Sequence, residues 1–392
     1  MGFLDFFTNN KKEEGYQEAA FFNRNDNSAG LNSYLERYNS AKWVYFGDNN
    51  QYPNYLNNLY NSSGLHSAII DFQRNLMIGA GFEFVGSELL KPMKKIELEQ
   101  FINFIDGQRS LDEMLQEVVT DYLIHGTIYF KVFWNSSKSK VLKIKRVEPS
   151  QVRVGVNKKD KSEIDRYYLN LDWSQPGVFP THELPAFNPT EKDGNRTEIY
   201  RFVVPNNALL YNTLPAYASA TNWINLDGEV STYHKSNIEN SINPSMTIKF
   251  YKRPANEEEK RMILRNIKKS YAGSENTGRA MVFFSDDKDS APDVEPVSVS
   301  NIDKQFNVTA ESIQRNICYA HKINPMIMGL KTPGSLGNST ELETSFEIYK
   351  KGVIEPAQKD IQKVINSFLR LNKIPVAFTL NDNVLCTKKE IK

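Results

Sequence analysis

An α+β fold is predicted from three features of the sequence. Helical periodicity dominates residues 65–123, and alternation of apolar and polar residues takes over at 128, with no strand–helix–strand alternation between them. From residue 215 two long helical stretches enclose a short strand–helix–strand module. A last apolar stripe, Leu342, Phe346, Tyr349, Val353, Ala357, Ile361, Val364 and Phe368, repeats at three- and four-residue steps.

Residues 1–40 are polar and Asn-rich, with scattered Phe. Two readings stand open: an arm whose aromatics need another surface, or a disordered terminus. Leu65, Ala68, Ile69, Phe72 and Leu76 mark a helix that Gly79 and Gly81 end. A second helix is expected near 94–106. A third begins at a capping box, Ser110 with Glu113, and stops at Gly126. Strands follow over 128–134, 142–144, 152–156, 167–171 and 199–204, read as one small antiparallel sheet. Residues 172–196, rich in Pro and Gly, read as a loop.

Residues 215–240 read as one long helix, stopped by Asn243-Pro244. Met246, Ile248 and Phe250 share a strand face. Asn256 caps a helix with Glu257–Glu259 at its positive end and Lys268 and Lys269 at its negative end. Ala280–Phe284 is a strand. A helix over 301–323 carries Ile302, Phe306, Ala310, Ile313 and Ile317, and Cys318 is half-buried packing on it. Residues 326–339 are a Gly-rich loop. Thr340 and Glu343 form a second capping box, and the ring of Pro356, clashing with the carbonyl of Gly352, predicts a kink in the final helix. Residues 376–380 are a last strand.

The 392 residues carry 48 Lys+Arg against 47 Asp+Glu, a net charge of +1, which argues against a dedicated high-affinity nucleic-acid grip. Two cysteines, Cys318 and Cys386, make no disulfide framework. No apolar run reaches 18 residues, and Met1–Phe7 lacks the basic start of a signal peptide. There is no P-loop, H-E-x-x-H, C-x-x-C or G-x-S-x-G pattern, and the five histidines are scattered and read as structural. No catalytic residue, metal ligand or cofactor site is assigned. A thin two-helix stalk cannot bury both helix faces within one chain, so lateral packing of several copies is expected.

The residues resemble those of a known family. Tyr45-Phe-Gly-Asp48 with Tyr52-Pro53, His66-Ser-Ala-Ile-Ile70 and Ile78-Gly-Ala-Gly81 form an early block. Tyr233-His-Lys-Ser-Asn237, Asn243-Pro244, Tyr271-Ala-Gly273 through Arg279, Ile323-Asn-Pro325 with Gly329, and Ser335, Asn338, Glu341 and Pro356 form a later, more specific one. Together they resemble the portal proteins of tailed bacteriophages of the long-tailed type, including those of Bacteroidetes phages. The resemblance implies an N-terminal arm (1–40), an α/β wing (41–214), and stem helices (215–242 and 300–325). It further implies a clip with an acidic link (243–299), a tunnel loop (326–339), a kinked wing helix (340–371) and a reduced crown (372–392). It implies a ring of twelve subunits at one capsid vertex, with double-stranded DNA passing non-specifically through it. Its implied partners are the terminase large subunit, head–tail adaptors, and major capsid and scaffold proteins, in the virion after assembly in the bacterial cytoplasm. Another head–tail connector component, or a nucleic-acid-processing enzyme, are the alternatives.

In that frame Lys331, Thr332, Ser335, Asn338 and Ser339 are the candidate DNA contacts, small polar groups that brush phosphates without reading bases. Residues 243–285 hold nine basic residues against four acidic ones, a net of +5. Residues 286–311 hold seven acids against two lysines, a net of −5. Lys249, Lys252, Arg253, Arg261, Arg265, Lys268 and Lys269 are therefore candidates for docking or for contacts between subunits. A solvated face beside an acidic linker is the competing reading.

Overall fold

The computed structural model describes residues 16–19, 36–39, 42–192, 194–205, 209–240, 246–250, 254, 256–271, 280–284, 302–330 and 339–381. They form two compact units: Met1–Asn225 with Gln314–Lys392, and the inserted Leu226–Ile313.

The larger unit opens with β1 (Tyr16–Ala19) and β2 (Glu36–Asn39), antiparallel to each other, with β2 also pairing to β3 (Val44–Phe46). These parts of the N-terminal segment thus belong to a sheet. Glu36 is buried, and its carboxylate accepts the backbone N–H groups of Leu210, Tyr211 and Asn212. One arm side chain thereby fixes a loop more than 170 residues away.

Helix α1 (Tyr52–Ser62) is not anticipated by the periodicity, because eight of its eleven residues are Asn, Tyr or Ser that pack by their rings or face water. Ser63 ends it and caps α2 (Gly64–Ile78), taking the N–H of His66. Strand β4 (Phe82–Val85) leads to α3 (Pro92–Asn103), which starts two residues before the expected span because Pro92 suits the first helical turn. Helix α4 (Leu111–His125) carries both bonds of the predicted capping box and ends at left-handed Gly126 (φ 67°). A Cβ there would lie 3.1 Å from the carbonyl of Leu214.

The expected single sheet is two. Strands β5 (Thr127–Trp134), β6 (Val141–Val147) and β10 (Thr197–Val203) form one antiparallel sheet in the order β10-β5-β6. β7 (Val152–Val156), β8 (Ile164–Leu169) and β9 (His182–Pro185) form the other. The turn Pro149–Gln151 after β6 breaks the ladder, and Val147, Val152, Val154 and Val156 then pack face to face with Tyr129, Tyr167 and Ile199. β9 lies inside the stretch read as loop; its Pro185 is tolerated because β9 is an edge strand. Asn188 in that stretch is tied to a buried ion pair, Lys138 to Glu198, whose carboxylate takes both the Trp134 indole N–H and the backbone N–H of Asn188. Arg153 is likewise buried, but all its bonds go to neutral oxygens of Asn50, Ser150 and Val152. Burial pulls its guanidinium down to about 9.

The long helix expected over 215–240 is shorter. Residues 218–220 form a 3-10 turn, and α5 (Thr221–Asn240) follows, about 30 Å long at 1.5 Å per residue. Tyr217, ahead of the turn, is anchored through its O–H to the carbonyl of Ile124 (2.8 Å), which holds the chain off the helical path. In the second unit lie β11 (Met246–Phe250), α6 (Glu257–Tyr271) and β12 (Ala280–Phe284). Helix α7 (Ile302–Ala320) returns the chain to the first unit, where Cys318 is fully buried rather than half-buried.

Helix α8 (Ser339–Tyr349), a π-helical turn (Lys350–Ile354) and α9 (Glu355–Leu371) make the terminal rod. Thr340 is inside α8 rather than its cap, since the helix already begins at Ser339. Of the predicted stripe Tyr349, Ala357, Ile361, Val364 and Phe368 are buried and Val353 is half-buried, whereas Leu342 remains 40% exposed. Phe368 meets Phe130, Phe187 and Tyr200 edge-on. β13 (Ala377–Leu380) pairs with β4.

Two asparagines join this rod to strand backbones as peptide mimics. Asn366 Nδ2 donates to the carbonyl of Phe378 (2.9 Å) while its Oδ1 accepts the Phe378 N–H (2.8 Å). Asn372 does the same to Val141 of β6, at 2.9 and 2.8 Å. The Asn372→Ala variant leaves a buried donor and acceptor unmet. It is expected to lose about 1–3 kcal/mol, read as a lower urea midpoint at unchanged m-value.

Candidate functional site

Three places bear on function: the inserted strand–helix–strand module, the loop-and-rod segment after α7, and the root from which the two long helices leave the first unit.

In the module β11 pairs with β12 in parallel, from Met246 opposite Ala280 to Phe250 opposite Phe284, with α6 as the crossover that parallel pairing needs. Asn256 Oδ1 takes the N–H of Glu259 at 2.8 Å, the expected cap. Arg261 and Arg265 are exposed one turn apart on α6, with Met262 exposed beside them. Lys249 sits on β11 opposite Phe283, and Lys268 and Lys269 lie in the last turn of α6. Lys252 and Arg253 lie outside the described residues, as does the acidic stretch 286–301. The opposite charges of 243–285 and 286–311 are therefore a count along the sequence, with no contact between them described.

After α7, Asn324 caps a 3-10 turn (Pro325–Met328) that ends at left-handed Gly329 (φ 74°). The Asn324 amide also donates to Ser345 Oγ of α8, tying the start of the following loop to the helix that ends it. Lys331, Thr332, Ser335 and Asn338 lie outside the described residues; Ser339 opens α8. The Pro356 irregularity takes the form of the π turn. Proline has no N–H to give, and its ring crowds the preceding turn, so the backbone widens across Lys350–Ile354. Gly352 lies exposed in that turn with nothing within 4 Å of an added Cβ.

The root is a buried aromatic cluster. His66 Nδ1 lies 2.9 Å from His321 Nε2, two imidazoles 255 residues apart in sequence. Tyr217 stacks on His321 (5.2 Å between centroids, 22°) and meets His66 edge-on at 4.4 Å. Burial and the neighbouring ring hold His66 well below the ordinary imidazole range, and burial pulls His321 down to about 3. His125, buried beside Arg146 and Arg153, is also held at about 3. Burial pushes the Cys318 thiol up to about 11, the behaviour of a packing group rather than a nucleophile. The sequence carries no signal for the His66–His321 pair. Proximity across 255 residues leaves no local trace.

Among the described residues no group of His, Cys, Asp or Glu side chains is arranged to hold a metal ion, and no described helix is long and apolar enough to cross a membrane.

A family model described as "Phage portal protein" matches residues 106–387. The fold is shared with a chain from the neck of an empty gene transfer agent particle computed with C6 symmetry (TM-score 0.56, 14% identity, covering 84% of this chain and 85% of that one). It is shared equally with a chain from the virion of a native gene transfer agent particle (TM-score 0.57, 13% identity, covering 85% and 84%). No curated protein sequence matches the chain. The family match spans well over half the sequence and takes in both units. The chain belongs to the phage portal protein family, and its α+β architecture and head–tail connector role are those of a portal.

Two predictions follow from this geometry. Gly352→Ala meets open space in a helical turn. It is expected to stabilise the rod by about 0.5–1 kcal/mol, seen as a raised denaturation midpoint. The second concerns acid. The unfolded chain takes up protons on His66, His125 and His321 near pH 6.5, whereas the folded chain resists them down to about 3 at His125 and His321. Stability is therefore expected to fall progressively as pH drops from about 6.5 toward 3, measured as urea midpoints across that range.

Proposed function

We propose that this chain forms a ring, of twelve copies as the resemblance implies, at a unique capsid vertex through which double-stranded DNA is packaged and ejected. The family match over residues 106–387 carries this reading. The fold shared with particle chains, one of them from a neck computed with C6 symmetry, supports a rotationally symmetric assembly within a virion. The family is one of structural proteins, which favours a non-enzymatic role; the ATP-driven motor would then be a separate protein docked on the ring.

In this reading the inserted unit Leu226–Ile313 supplies the clip and most of the stem, reached by α5 and left by α7. Exposed Arg261 and Arg265, with Lys249, Lys252, Arg253, Lys268 and Lys269, present a basic surface to the terminase large subunit during packaging and to head–tail adaptors afterwards. Residues 326–339 form the tunnel loop. The fixed points at Gly329 and Ser339, and the Asn324–Ser345 bond, define the two ends of a span in which Lys331, Thr332, Ser335 and Asn338 contact passing phosphates. Around a ring, one lysine per copy gives a circle of positive charge that guides a polyanion without reading its bases. Capsid and scaffold proteins meet the wing, built from residues 41–214 and the kinked helix.

Purified protein is expected to show rings with a central hole in negative-stain images; a monomer at high concentration would overturn the ring. Deleting 331–338 is expected to leave the rings and abolish DNA packaging or retention. Rings lost together with packaging would mean that this segment is structural.

A further inference from the structure

We propose that His66 and His321 form a proton-sensitive latch that holds the lead-in to α5 and the end of α7 against α1 and α2 at neutral pH and lets them go on acidification. The geometry carries it. The two facing nitrogens are 2.9 Å apart, so a single N–H lies between them, one ring donating and the other accepting. A second proton would set two N–H donors against each other and put a charge where His66 is 0% and His321 5% exposed. The other nitrogen of His66, Nε2, is buried with no hydrogen-bond partner, so no acceptor awaits a proton there.

Among the described residues no counter-charge acts on the pair. Tyr217 covers both rings but donates its O–H to the carbonyl of Ile124. The titratable groups that act on Tyr217 are the phenols of Tyr52 and Tyr55 of α1. Among the described residues no carboxylate or cation acts on either imidazole; Arg146 and Arg153 act on His125 instead. The second proton therefore enters only when the cluster opens and the imidazoles regain their ordinary affinity near pH 6.5. Each proton taken up on opening multiplies the open population by up to tenfold per pH unit below that value.

Position gives the latch its reach. His66 lies in the first turn of α2, His321 directly follows α7, and Tyr217 precedes α5. α5 and α7 are the two chain crossings into the inserted unit. Opening the cluster frees both crossings at once, without disturbing the sheet β10-β5-β6. The inference stands on the cluster alone and does not require the ring.

The test uses the full chain. Histidine C2–H exchange by mass spectrometry, run from pH 4 to 8, reads each imidazole separately. His66 and His321 are expected to titrate at least two pH units below the ordinary imidazole value of about 6.5. Amide exchange, corrected for its intrinsic pH dependence, is expected to accelerate at least tenfold at 214–221 and 317–323 between pH 7 and 5. The amides of β5 and β6 should remain slower than those of both segments at every pH, and the far-UV circular dichroism should stay unchanged. His66→Leu with His321→Leu should abolish that acceleration, whereas His125→Leu should leave it. Ordinary midpoints for either histidine, exchange of the two segments at the same rate as β5 and β6, or acceleration that survives in the double variant would each overturn the latch. The histidine midpoints need no variant, so they decide the matter even if the double substitution prevents folding.

Discussion

The larger unit is discontinuous: its chain leaves at Asn225 and comes back at Gln314, so everything depends on the second passage closing the core that the first one begins. The buried face of α9 does this. Ile361, Val364, Ile365, Phe368 and Leu369 are almost fully enclosed, and Phe368 sits among Phe130, Phe187 and Tyr200. Burying a side chain of this size stabilises by about 1.5–3 kcal/mol, so five of them outweigh any single polar contact in the unit. Without α9 the sheet β10-β5-β6 would show this apolar face to water. Asn366 and Asn372 then fix the register of the packed helix, because an amide side chain that matches both groups of one residue tolerates no sliding.

That closure explains why the proline is accommodated as a π turn rather than as a broken helix. Tyr349 and Ile354 are both buried on either side of it, and the extra residue keeps the α8 and α9 stripes facing their own neighbours. The same logic holds at the root of the long helices. Tyr217, His66 and His321 come from three distant segments and bury their rings together, with one hydrogen bond between the two imidazoles. Buried pairs of this kind hold a position tightly under one protonation state and poorly under another.

Much was legible in the residues. The capping box at Ser110 and Glu113, the stop at Gly126, the cap at Asn256 and the strands at 128–134, 246–250 and 280–284 are local patterns, and each formed where the pattern lay. The near-neutral charge of +1 hid a basic stretch and an acidic one, a division that counting along the chain also exposed. What escaped were features without local cause: α1, whose asparagines and tyrosines carry no apolar stripe; β9, inside a Pro- and Gly-rich stretch; and the split of one expected sheet into two. Of the candidate residues, Arg261, Arg265, Gly352 and Pro356 could be placed in their local setting, while the loop lysine and its neighbours rest on the resemblance.

The sequence by itself determined the α+β class, the order of most elements and the family, because periodicity, caps and motif residues act within a few turns of chain. Tertiary structure alone decided which distant groups became partners: Glu36 with the loop at 210–212, Lys138 with Glu198, the two asparagines with strand backbones, and His66 with His321. Such pairs are set by the closure of one core from two separated lengths of chain. The free energy that selects them is the burial of the whole interface, and no single segment carries it.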